Sequence, residues 1–138
     1  ADYDRDLALD PQLTVEFVKA TQSAEWEKLE SHYGSSAEKE FLTQVVANLK
    51  RSGTLPVLRH GIKIVPGIKF VLSAFQPASN VNPALQRRYE ANILSVTRQV
   101  HYSRRNENAI DVVAFVNGIP VATFEPFGWR SCPTTVCR

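Results

Sequence analysis

Two carboxylates stand in an otherwise apolar stretch, NAIDVVAFVNGIPVATFEPFGW, which runs from Asn108 to Trp129. Asp111 lies near its start and Glu125 near its end. IDVVAFV and IPVATFE flank Asn117-Gly118, a dipeptide that closes tight β-hairpins because both residues accept positive φ. Register decides whether the acids meet. A two-residue loop pairs Asp111 with Phe124 and turns Glu125 to the opposite face. A three-residue loop with Gly118 as a bulge pairs Asp111 with Thr123 and brings Glu125 onto the same face, diagonally across. Val116-Asn117-Gly118 suits the second. Two carboxylates converging at a sheet margin repel unless neutralised, and Mg²⁺, a hard cation with oxygen ligands, is the natural counter-charge. A plainer arrangement stays open: Asp111 caps a strand beside Arg104 or Arg105, and Glu125 sits in solvent.

The charge around this pair is uneven along the chain. Residues 1–50 hold ten acids against five bases, and residues 51–138 hold eleven bases against four acids, although the net charge is only +2. RRYEANILSVTRQVHYSRR carries five arginines and one acid, with Tyr89, His101 and Tyr102 among them. Such a stretch suits a phosphate backbone, with Arg98, His101, Arg104 and Arg105 as the candidate contacts, and it suits equally a solvated face whose arginine stems cover apolar surface.

The elements that must position these groups follow from spacing. Asp10 then Pro11 reads as an N-cap and a first-turn proline, with Leu13, Phe17 and Ala20 on one helical face. SAEWEKLESHYG gives a second helix closed by Gly34, and Ser35 with Glu38 a capping box for a third, whose apolar face is Phe41, Leu42, Val45, Val46 and Leu49. Gly53 stops it. IKIVPGIKFVLSAF reads as two strands around Pro66-Gly67. Asn82-Pro83 starts another helix, through about Asn92, and ILSVTRQVHY reads as a strand before the hairpin. Both hairpin strands are apolar on both faces, which predicts central strands covered from two sides in an α/β or α+β layering.

Composition bounds the rest. At 138 residues and 43% hydrophobic, one domain is expected, burying roughly two-thirds of its unfolded surface. No apolar run approaches the roughly 20 residues of a membrane span, and ADYDRDLALD is acidic where a signal peptide would be basic, so a cytoplasmic protein is expected. Cys132 and Cys137, in CPTTVC, are too few for a disulfide framework and lack a second ligand pair for zinc. GIKIVPGIK has the wrong glycine spacing for a phosphate loop, so no ATPase motor is expected, and His32, His60 and His101 lack metal-ligand spacing. His60 in LRHG reads first as a structural histidine.

DYDRDLALDPQLTVEFVKATQSAEWEKLE, GTLPVLRHGIK, NPALQRRYEANILSVTRQVHYS and NENAIDVVAFVNGIPVAT together resemble the N-terminal nuclease domain of the R (restriction) subunit of type I restriction enzymes, from Asp2 to about Glu125. That family belongs to the PD-(D/E)xK nucleases. The resemblance implies a restriction-endonuclease-like core, a mixed β-sheet flanked by helices, and places the family's Asp on Asp111 and its Glu on Glu125. It further implies Mg²⁺ held by both carboxylates, a lysine two residues on that assists water activation, and duplex DNA as substrate. Arg59 and His60 recur in the resemblance, which keeps a DNA contact open there. Modification and specificity subunits are the implied partners, and ATP is used by the family's separate motor region.

The resemblance also has gaps. Phe127 stands in the lysine position, Pro126 supplies no strand N–H, and GWRSCPTTVCR does not resemble the family's Gln-bearing helix. A leading helix with a further glutamate would precede Ala1. Arg130, five residues past Glu125, is a poor substitute for a lysine. Residues 1–125 therefore read as an incomplete nuclease-like domain and 126–138 as a divergent tail, expected to be the least ordered part. Two functions follow: a Mg²⁺-dependent endonuclease domain, weak or inactive in this chain, or a catalytically dead module for DNA binding or subunit interaction.

Overall fold

The computed structural model describes residues 3–78, 82–102 and 108–125. Helix α1 (Pro11–Thr21) starts where expected: the Leu13 N–H donates to Asp10 Oδ1 at 3.2 Å, and Pro11 occupies the first turn, where a missing N–H costs nothing. Its buried face is Thr14, Val15, Phe17 and Val18, with Leu13 half-buried and Ala20 exposed. The stripe is thus rotated from the expected one, because Thr14 is drawn inward by its hydrogen bonds to the backbone carbonyls of Asp10 and Asn117, both 2.9 Å.

Helix α2 (Ser23–Tyr33) closes on Gly34, whose φ of +58° favours glycine. The Ser35–Glu38 capping box does not form. A 3₁₀ turn at Gly34–Ser36 runs straight into α3 (Ala37–Ser52), so the third helix has no free first turn for a serine to cap. Helix α3 buries Ala37, Phe41 and Val45, with Leu42, Val46 and Leu49 packed at its flanks. A further helix that spacing did not announce, α4 (Thr54–His60), follows Gly53. Pro56 is tolerated in its first turn, and Gly61, at φ +70°, lies so close to the Phe70 carbonyl that any Cβ would overlap it.

Strands β1 (Ile62–Ile64) and β2 (Ile68–Phe70) pair antiparallel around Pro66-Gly67 as expected. Phe70 completes an aromatic triad with Trp26 and Phe41, edge-on at centroid distances of 5.2 to 6.3 Å, an arrangement their quadrupoles favour. This triad is the centre of the larger core, which also takes in Phe17, Leu29, Val57, Leu72 and Ile119.

Helix α5 (Pro83–Glu90) is capped by Asn82, whose Oδ1 accepts from the Ala84 N–H at 3.0 Å. It ends two residues before the expected Asn92. The Asn92 side chain is engaged elsewhere, accepting from the Ala74 N–H at 3.1 Å and donating to the Ala74 carbonyl at 2.7 Å. Three strands follow, β3 (Leu94–His101), β4 (Ala109–Val116) and β5 (Ile119–Phe124), in that order across one sheet.

The class is α+β, as the sequence predicts. Two details differ. Every pairing among the described residues is antiparallel, so the mixed strand directions implied by the resemblance are not present there. Nor, among the described residues, is the second sheet covered on two sides. Val100, Val113 and Phe115 form a small cluster with Tyr3 and Ile110, while Leu94, Val96 and Phe124 are 76, 66 and 56% exposed. The described helices pack chiefly around the larger core, which leaves one face of this sheet open.

Candidate functional site

The Asn-Gly turn that makes the hairpin is buried, and this sets where the two acids stand. Asn117 has φ +51° and Gly118 +80°, the left-handed pair of a two-residue turn. Asn117 is fully enclosed. Its Oδ1 accepts from the Ile93 N–H at 2.7 Å, and its Nδ2 donates to the Leu72 carbonyl at 2.9 Å and to Asn92 Oδ1 at 3.0 Å. Gly118 accepts from the Asp10 N–H at 2.8 Å and packs so tightly on Asp10 and Thr14 that a Cβ there would collide with both. The turn is thus plugged into the N-terminus of α1 and the segment after β2, and the opposite end of the hairpin carries Asp111 and Glu125, both exposed.

The register corrects the three-residue expectation by an unforeseen route. Val116 pairs with Ile119 and Phe115 with Pro120, as a two-residue loop requires, but a bulge then falls between Ala114 and Phe115. From there Ala114 faces Ala122, Val113 faces Thr123 and Val112 faces Phe124. The extra residue on β5 is Val121, beside Pro120, which has no N–H for a ladder. The paired ladder ends at Val112 and Phe124, and Asp111 and Glu125 are the next residue on each chain, so continuing that register would set them opposite one another and on the same side.

On its other flank Asp111 meets an interruption. Arg98 pairs with Val112 and Val100 with Ile110, but the pair between them, Gln99 with Asp111, is missing because Gln99 turns to φ +52°. A non-glycine residue in that region is uncommon, and such outliers concentrate at functional sites. No signal in the sequence marks Gln99, since glutamine has no preference for this conformation.

The candidate DNA contacts are divided by the same irregularity. Arg98 is exposed and shares the open face with Leu94 and Val96. His101 instead lines a groove with Tyr3, Asp4, Arg5, Thr97 and Gln99. In that groove burial, with the Asp4 carboxylate adding to it, pushes the Tyr3 phenol above its ordinary pKa, and the ring packs against Phe115 at a centroid distance of 6.0 Å. Arg104, Arg105, Pro126, Phe127, Arg130, Cys132 and Cys137, and with them the expectation for the tail, lie outside the described residues.

As donors, Asp111 and Glu125 fit a hard cation. Among the described residues no group of three or more His, Cys, Asp or Glu side chains could enclose a metal. Mg²⁺ commonly keeps several waters and takes one or two carboxylates, and two exposed carboxylates at one end of a ladder suit that open coordination. Among the described residues no helix is long and apolar enough to cross a membrane.

Comparison with curated proteins and with solved structures gave no match. The family model for the type I restriction enzyme R protein N terminus matches residues 12–126. That span takes in the described helices from the second residue of α1 onward, both described sheets, the buried turn and both acids, and the chain belongs to this family of R-subunit N-terminal regions.

Proposed function

We propose that this domain is the endonuclease module of a type I restriction R subunit, built to hydrolyse duplex DNA with Mg²⁺ held by Asp111 and Glu125, and weak or inactive in this chain. The observation that supports the reading is the register Val112–Phe124, which brings the two acids to adjacent ends of the same ladder in a member of this family. Bound Mg²⁺ supplies Lewis acidity toward a phosphodiester oxygen and the attacking water. The carboxylates orient that chemistry at the exposed end of a hairpin whose other end is locked in the core. Arg98, His101, Arg104 and Arg105 hold backbone phosphates, which fixes the duplex without reading its sequence. DNA and the modification and specificity subunits are the proposed partners. A second reading, a scaffold that binds DNA or other subunits without cutting, is favoured by one observation: Phe127 stands in the lysine position, just past the last matched residue.

Metal binding by the pair is tested by thermal unfolding with and without Mn²⁺. A cation bound only by the folded state stabilises by about 2.7 kcal/mol at a hundredfold excess over its Kd. The unmodified chain is expected to show a Mn²⁺-dependent rise in Tm that Asp111→Ala abolishes; equal rises in both would place the ion elsewhere.

DNA affinity is expected to be indifferent to sequence and to fall steeply between about 50 and 200 mM salt, through counterion release. Arg104→Gln with Arg105→Gln is expected to reduce the slope of log K against log salt by about 1.8, at roughly 0.9 per phosphate contact. A double variant with the slope unchanged would show that neither arginine touches the backbone.

A further inference from the structure

A second basic surface lies apart from the carboxylate site. The C-terminal turns of α3 and α4 and the pair β1–β2 enclose a cleft of about 500 Å³, and none of its lining comes from the three-stranded sheet. Its charged and titratable lining is Arg51, His60, Lys63 and Lys69, with no acid. Glu40, one turn before Gln44 on α3, is outside the lining and accepts from Gln44 Nε2 at 2.9 Å.

Part of this charge has a structural explanation. Arg51 and His60 sit in the last turns of their helices, where a cation complements the helix dipole. Lys63 and Lys69 do not. They are direct cross-strand partners, both exposed, and like charges in that position destabilise a hairpin. Among the described residues neither has an acid within ion-pair distance, and the salt bridge formed joins Lys19 to Glu38. Ile62, Ile64 and Phe70 are buried on the other side of this hairpin, so the two lysines share its outer face. Beside them Asn48 Oδ1 accepts from Arg51 Nη2 at 2.8 Å, which holds the guanidinium on the helix face lining the cleft and leaves its other N–H groups available.

We propose that this cleft is a phosphate-binding site, with Lys63 and Lys69 as the principal contacts, Arg51 as a third donor and Asn48 as the residue that positions it. Repulsion between the facing lysines is relieved when a phosphate anion lies between them, and three converging donor groups match the tetrahedral oxygens of phosphate. Two sources present this chemistry: the backbone of a polynucleotide and the chain of a free polyphosphate. The inference does not depend on the carboxylate site, and the test separates the two.

The test measures binding of a labelled 20-base-pair duplex by anisotropy, and of inorganic tripolyphosphate by calorimetry, for the unmodified chain, Lys63→Gln with Lys69→Gln, and Arg98→Gln. Removing a like-charge contact is expected to keep or raise the Tm of the lysine variant, and that reading shows whether it is folded. Its duplex affinity is expected to fall on the order of tenfold at low salt, with the salt slope reduced by about 1.8. Loss of tripolyphosphate binding with duplex affinity unchanged would retain the site and assign it to a small polyphosphate. Both affinities unchanged would overturn the proposal, and a loss of duplex affinity confined to Arg98→Gln would do so while leaving the proposed nuclease surface standing.

Discussion

Asn117→Ala is expected to destabilise the protein by about 4 kcal/mol, seen as a lower urea midpoint with an unchanged slope. The change strips the Ile93 N–H and the Leu72 carbonyl of partners in a fully buried position, at roughly 1–3 kcal/mol for each group left unsatisfied. It also puts a Cβ with no compensating polar contact at φ +51°, a further 1–2 kcal/mol or so. Asn117→Gly removes the same hydrogen bonds but not the conformational freedom, and is expected to cost about 1 kcal/mol less than alanine. A loss below about 1 kcal/mol for Asn117→Ala would show that water substitutes for the amide and that the turn is not the anchor of the hairpin.

That anchor has a functional consequence. Asp111 and Glu125 lie at the far end of strands fixed at the turn, so the register established at Asn117 and altered at the Val121 bulge decides whether they face each other. One residue more or less between the turn and the acids would send them to opposite sides.

Much of this was legible in the sequence for identifiable reasons. Asp10-Pro11, Gly34, Gly53 and Asn82-Pro83 are local punctuation whose meaning does not depend on tertiary contacts, and each marks a boundary of a helix. Asn117-Gly118 announced a turn but not its burial, because a dipeptide says nothing about Ile93 or Leu72 coming to meet its side chain. The bulge at Val121 was hidden for a similar reason: Pro120 weakens a ladder, yet where the slack is taken up depends on both strands. The capping box failed because Ser35 and Glu38 fit the pattern of a helix start while Gly34 let the chain pass from one helix to the next without one. Apolar residues on both faces of β4 suggested two covering layers, but periodicity reports which faces are apolar and not what lies over them. The carboxylate pair itself was visible as two acids in an apolar run, and the resemblance, not the spacing, singled them out from strand-end charges.

The largest chemical effect is expected at residues 126 and 127. A positioned ammonium beside a phosphodiester undergoing attack offsets developing charge, and loss of one such group typically costs on the order of a hundredfold to a thousandfold in rate. Phe127 offers none, and Pro126 withholds the N–H that would carry a strand through that point. Phe127→Lys alone is expected to restore little, and Pro126→Leu with Phe127→Lys is the smallest change expected to produce measurable nicking. The decisive measurement is conversion of supercoiled plasmid to open circle in Mg²⁺ or Mn²⁺ by four proteins: the unmodified chain, its Asp111→Ala variant, the Pro126→Leu/Phe127→Lys variant, and that variant carrying Asp111→Ala. The expected result is no cleavage by the unmodified chain above its Asp111→Ala control, together with nicking by the double variant that Asp111→Ala abolishes. Robust cleavage by the unmodified chain that Asp111→Ala abolishes would show that another basic residue, such as Arg130, fills the lysine's role, and nicking by the double variant that survives Asp111→Ala would contradict the assignment of the carboxylate pair.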